Sequence, residues 1–142
     1  MKINTLLSGL LLFLVSCQKD INYSPTPFQL QIPSYFPKVT YTLEKNVLTE
    51  EGIKLGKKLF HEPLLSVDHS IACSNCHVKG AAFSDPQHNP SIGVFERVGT
   101  RNAPSIANMA FRKDFLWDGG VAHLDFIPPF AIENPREMDQ TL

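Results

Sequence analysis

Hydrophobic positions follow a helical period over one sustained stretch of this chain. Between Thr49 and His61, Ile53, Gly56 and Phe60 fall on one face, with Leu55 and Leu59 beside it. Thr49 is a suitable N-cap, Glu50 and Glu51 occupy the first turn, and Lys57 and Lys58 the last, as the helix dipole favours. Pro63 marks the stop. The apolar residues of this helix are expected to be core. Elsewhere the pattern is broken. Gln18 to Lys38 carries Pro25, Pro27, Pro33 and Pro37 and reads as an extended tether, with Tyr35-Phe36-Pro37 the part most suited to docking. Phe83 to Thr100, with Asp85-Pro86, Asn89-Pro90, Gly93 and Gly99, reads as a long surface loop, a feature that is often functional. Pro104 is placed to open a short helix over Ser105 to Phe111. Gly119-Gly120 breaks the chain after Trp117-Asp118, and Pro128-Pro129 is expected to end a second short helix over His123 to Ile127. Eleven prolines and eight glycines agree with many turns. The expected fold class is all-α with long loops.

The start of the chain is a separate unit. Met1-Lys2-Ile3-Asn4 is a short positive start, and Leu6 to Val15 is an apolar run of signal-peptide length, too short to span a bilayer as a helix. It ends in Leu14-Val15-Ser16-Cys17, which resembles a bacterial lipobox with cleavage before Cys17. That resemblance implies a signal peptide over 1–16, a lipid on Cys17, a tether over 17–38 and a folded domain over 39–142. Several acyl chains on one residue suffice for stable anchoring. The expected location is therefore the periplasmic side of a bacterial membrane, touched through the anchor alone. A formal charge of −1 leaves no basic excess for nucleic acid.

The chemistry is concentrated in Cys73-Ser74-Asn75-Cys76-His77. C-x-x-C-H is a c-type haem attachment pattern: two thiols can form thioethers to the vinyl groups, and the adjacent histidine falls beneath the iron. A structural zinc site would need four ligands, and His61, His69, His88 and His123 provide no H-x3-5-H pair. The short, polar-interrupted run before Cys73 suits a thioredoxin-type pair poorly. An unmodified pair of thiols would be open to oxidation in an exported protein. With Cys17 assigned to lipid, no disulfide framework remains. Covalent haem is the expected cofactor, and some apolar residues of the Thr49–His61 helix are candidates to line it.

Seven motifs occur in a recognisable order: Leu59-Phe60, Leu65-Ser66, the haem pentapeptide, Phe83-Ser84-Asp85, Arg101-Asn102-Ala103-Pro104-Ser105, Phe115-Leu116-Trp117-Asp118-Gly119 and Asn134-Pro135-Arg136-Glu137-Met138. From about Leu48 to Met138 the chain resembles the N-terminal haem domain of the bacterial di-haem cytochrome c peroxidases, a family that includes the di-haem enzymes maturing a tryptophan-derived quinone. The resemblance implies a c-type cytochrome-like haem fold and reduction of hydrogen peroxide to water, with electrons from a small cytochrome c or copper protein relayed by a second haem. It implies attachment through Cys73 and Cys76, ligation by His77, an electron-relay role for Trp117 and a proton-transferring role for Glu137 over the peroxide-binding face. Asn102 matches a calcium ligand, Arg101 is a candidate partner for a haem propionate, and a homodimer is compatible with the family. Read alone, Glu137 would be a solvated helix-start residue, Trp117 core, Asn102 a cap and Arg101 surface.

The chain departs from that pattern in places. Val94 stands where many relatives carry a distal histidine, which implies a five-coordinate iron, with His88 as a nearby substitute. Ile127 replaces a glutamine near bound peroxide, and Gly120 an arginine. The chain ends at Leu142 with no second C-x-x-C-H, so it is expected to be a fragment. Two other functions compete with the peroxidase. One is a mono-haem electron carrier, which would want Met109 or Met138 as a sixth ligand although both suit a core. The other is a di-haem oxidase of a protein or small molecule.

Overall fold

Every helix of the structure, a computed structural model describing residues 24–42 and 45–142, is short. The lipobox, Cys17 and the first part of the tether lie outside those residues. The elements are helix α1 (Glu50–Phe60), helix α2 (Cys73–Cys76) and helix α3 (Ile127–Glu133), joined by single 3-10 turns and loops. Among the described residues the only β pairing is isolated bridges, such as Val78 with Ser84 and Ile92 with Val98. A chain of helices and loops is what the turn-rich composition dictates.

Helix α1 starts where the capping chemistry puts it, with Thr49 Oγ1 accepting the Gly52 amide at 3.0 Å. Its apolar residues depart from expectation. None is buried, and Ile53, Leu55 and Leu59 are exposed. The helix is held instead through its polar first turn, where Glu51 accepts both the Thr26 amide and hydroxyl at 2.9 Å. The described part of the expected tether is therefore laid along the domain. Phe28 N–H donates to Leu48 O, and the Phe36 ring sits 5.2 Å from Phe111.

Two helix expectations need correction. No helix runs from Ser105 to Phe111; a single turn occupies Met109–Phe111. Asn108 before it is left-handed (φ 60°), and the Ser105 hydroxyl accepts the Ala107 amide, which caps the chain in an open conformation. Pro128-Pro129 does not end a helix over His123 to Ile127. A turn at Leu124–Phe126 runs directly into α3, with both prolines in its first turn. There the missing N–H groups would have had no intrahelical partner, so proline is tolerated. Tyr41 anchors this region from outside, its ring edge-on to His123 at 5.1 Å. Burial, then the nearby Asp125 carboxylate, pushes the Tyr41 phenol up to about 12.

Among the described residues the buried apolar ones are Ala72, Val94, Phe115, Ile132 and Met138. Backbone bonds gather most of them: Val67 N–H donates to Met138 O, Val94 N–H to Glu137 O and Gln140 N–H to Ile132 O, each at 2.9 Å. The loop over 83–100 is thus no simple surface loop, since it contributes Val94 and the buried Asp85 to the interior. Gly93 is required by this packing, because a Cβ there would overlap the Arg136 and Glu137 carbonyls. Backbone cannot yield as a flexible side chain can. Gly93→Ala should therefore destabilise the fold by about 1–3 kcal/mol, read as a lower melting temperature; an unchanged melt would contradict this packing.

Candidate functional site

The haem pentapeptide forms its own small structure. Ser66, fully buried, donates its hydroxyl to Pro63 O and accepts the Ile71 amide, fixing the approach to Ala72. Asn75 Oδ1 then accepts the Ala72 amide at 2.8 Å, and His77 N–H closes the turn on Cys73 O at 2.9 Å. In a helical turn, positions three and four apart share a face. Cys73, Cys76 and His77 have that spacing. Both cysteines are free and half-buried. Burial raises both thiols, Cys76 to about 11, with the Asp85, Glu137 and Cys73 charges adding to the effect on Cys76.

His77 Nδ1 lies 2.9 Å from Phe83 O. A carbonyl can only accept, so Nδ1 carries the proton and Nε2 is left with its lone pair. This is the arrangement by which a second contact orients a metal-binding imidazole. The residues present fit a covalent haem: two thiols three positions apart on one short helix, followed directly by an imidazole already in the ligating tautomer. The sequence marked His77 but not the Phe83 carbonyl, because a main-chain acceptor leaves no residue-type signature.

Glu137 sits on the turn after α3, and three segments converge there. Its backbone carbonyl accepts the Val94 amide, and Asn134 Nδ2 donates to its Oε1 at 2.7 Å. Arg97 clamps the same turn through Pro135 O (2.7 Å) and Asp139 (2.6 Å), while Arg136 reaches back to Val98 O at 3.0 Å. The loop fastened in this way passes the haem turn at Ile92, whose carbonyl is 4.0 Å from Cys76 Sγ. By surface area Glu137 is an exposed residue. Even so, the protein packed about its carboxylate raises its pKa above the ordinary range, only partly opposed by the Asn134 bond. An acid with its pKa moved upward, on a turn fastened to the loop beside the attachment site, is better suited than an ordinary surface carboxylate to hold and release a proton. The i, i+3 spacing of Asn134 and Glu137 was a usable signal for their pairing.

The remaining candidates form a second group. Asn102 Oδ1 accepts the Ser91 hydroxyl at 2.9 Å, and its Nδ2 donates to Asp85 O at 3.1 Å, so its side chain ties the loop together. Among the described residues no group of three His, Cys, Asp or Glu is placed to hold a metal ion. Trp117 is exposed, its indole N–H donating to Asn102 O at 2.8 Å. Arg101 Nη1 pairs with Asp118 at 2.8 Å, holding the Asp118 carboxyl below the usual range. The carboxylate found beside Arg101 is thus a neighbouring side chain. Asp85 is buried, which pushes its pKa up, but hydrogen bonds, the Gln87 and His88 amides among them, outweigh this and keep it low. His88 Nδ1 is 3.3 Å from that carboxylate. The side chain of Val94 is fully buried.

Fold and donor set together define a small haem-binding domain built from helices and loops. Comparison with known proteins agrees. The profile of the family described as di-haem cytochrome c peroxidase matches residues 50–142, and the chain belongs to that family. It is 33% identical over 105 residues to the cytochrome c551 peroxidase of Pseudomonas aeruginosa, covering 74% of this chain and 30% of that protein. It is 40% identical over 88 residues to the cytochrome c peroxidase Ccp of Escherichia coli (62% and 19%), and 33% identical over 103 residues to the methylamine utilization protein MauG of Methylorubrum extorquens (68% and 27%). The solved structure of a MauG-like protein associated with microbial copper homeostasis matches with a TM-score of 0.71 at 30% identity, over 78% of this chain and 32% of that one. The chain thus spans less than a third of the length of these relatives.

Proposed function

We propose that this chain is the haem-attaching, peroxide-handling part of a bacterial di-haem peroxidase, which reduces hydrogen peroxide to water with two electrons and two protons. The observation that carries this reading is the preset His77 turn together with a pKa-raised carboxylate on a turn fastened to the loop that passes Cys76. Cys73 and Cys76 would hold the haem and His77 Nε2 would ligate its iron; the bound haem would supply the electron transfer and a coordination position for the oxidant. Glu137 acts on protons: its carboxylate takes one from peroxide and returns it to the departing oxygen, which leaves as water. Trp117, exposed and held by its N–H, relays electrons from a second haem in a further domain. Arg101, with donors beyond those used on Asp118, meets a propionate, and Asn102 contributes to a calcium site. The donor is a small cytochrome c or copper protein, and a lipid on Cys17 tethers the molecule on the periplasmic side.

The test is oxidation of a reduced cytochrome c by the haem-loaded, full-length protein. Peroxide-dependent oxidation is expected; its absence with both haems in place would end the peroxidase reading. The buried, apolar Val94 favours one second reading, an oxidase of a protein or small molecule, since a valine at that position would give a bound iron no protein ligand. Turnover of such a substrate without peroxidase activity would select it.

A further inference from the structure

The Phe83 carbonyl reaches His77 because the chain makes an uncommon turn. Ala82 (φ 52°) and Phe83 (φ 59°) are consecutive non-glycine residues in the left-handed region, where a Cβ is crowded. Around them the loop is tight: Val78 O accepts both the Ala81 and Phe83 amides at 2.9 Å, and Val78 N–H donates to Ser84 O at 3.1 Å. Two adjacent left-handed residues persist only when their surroundings over-determine them. One determinant comes from a distant part of the chain, where Ser105 Oγ lies 2.5 Å from Ala82 O. The Ala107 amide donates to that same hydroxyl at 3.2 Å. The single hydroxyl proton is thereby directed to the Ala82 carbonyl, one peptide before the carbonyl that meets His77. The segment bearing Ser105 is itself anchored, with Ser91 Oγ accepting the Ala103 amide and Asn102 reaching Asp85 O.

We propose that Ser105 is a positioning residue for the iron ligand: its hydroxyl holds the Ala82–Phe83 turn so that the Phe83 carbonyl stays on His77 Nδ1, and through that bond it sets the electron richness of the imidazole. This rests on the reading that His77 ligates haem. An imidazole whose Nδ1–H is bound to a carbonyl is the stronger donor and favours the oxidised iron. Losing the Ser105 hydroxyl therefore weakens the bond and makes the haem easier to reduce.

The experiment uses the haem-loaded chain with Ser105→Ala, Ser105→Thr and the double variant Ser105→Ala/Ala82→Gly. Ser105→Ala should raise the midpoint potential of the haem attached at Cys73 and Cys76, by roughly a tenfold shift in the one-electron equilibrium, ~59 mV. The iron–histidine stretching frequency should fall in parallel. Ser105→Thr keeps the hydroxyl and should restore both readings. The double variant should also restore them, because glycine adopts positive φ freely. If Ser105→Ala alone does not yield folded holoprotein, the double variant decides, with wild-type values supporting the turn-holding role and displaced values overturning it. Unchanged potential and stretching frequency in Ser105→Ala would overturn the proposal, while a spectrum altered by His77→Gly would leave the ligation reading intact. A spectrum indifferent to His77→Gly would remove the ligation reading and this inference with it.

Discussion

Replacing Cys73 and Cys76 together by alanine is expected to abolish covalent retention of haem, so that a denaturing gel stained for haem peroxidase activity shows no band at the mass of this protein. Either single replacement should leave one thioether and a weaker band. Both thiols sit on one turn whose hydrogen bonds run through Ala72, Asn75 and His77. Alanine, a good helix former, leaves that turn intact. The loss would therefore be one of bonding chemistry. Comparable circular dichroism of the unloaded wild type and double variant checks this point, and a surviving covalent chromophore would refute the assignment of these cysteines.

Glu137→Gln should lower peroxide turnover by about 10²- to 10⁴-fold, the usual contribution of a positioned proton-transfer group, with haem content unchanged. The pH profile gives a sharper signature. Glu137 must be ionised to accept a proton, and the protein packed about its carboxylate raises its pKa. Wild-type activity should therefore be present above that raised pKa and fall as pH drops through it, an acid limb lying above the ordinary carboxylate range. Glu137→Gln should lose both the activity and that limb. Stability should move the other way. A carboxyl whose folded pKa is raised favours the fold fully at low pH and loses that contribution as pH rises through the folded value. Near neutrality the neutral amide should therefore not weaken the domain, and a thermal melt separates catalysis from folding. Wild-type turnover in Glu137→Gln would dismiss the carboxylate from the reaction.

The parts of the molecule governed by local rules were legible in the sequence. The Thr49 cap and the acidic first turn of α1 follow from spacing and residue type, and the structure agrees. Expectations failed where distant partners decide. Ser105–Phe111 has a proline at a good first-helix position, yet Ser105 is drawn away to Ala82 and Asn108 takes a left-handed conformation. Pro128-Pro129 was ambiguous because proline both ends and begins helices, and only the turn packed ahead of it resolves which. The apolar stripe of α1 suggested core, but periodicity reports which residues share a face, not what covers that face. At the candidate site the sequence offered candidate side chains by residue type and spacing. Their holders could not be read that way, because Phe83 O, Ile92 O and Asn102 O are main-chain atoms present at every position.

The thinness of the interior has a bearing on how faulty copies are dealt with. With so few apolar side chains enclosed among the described residues, the polypeptide draws little cohesion from its own packing. A haem tied by two thioethers stays on the chain when it unfolds, but its ligation by His77 and its packing exist only in the native form, so loaded and unloaded copies should differ in resistance to digestion. Housekeeping proteases would then clear the incomplete molecules through their lability.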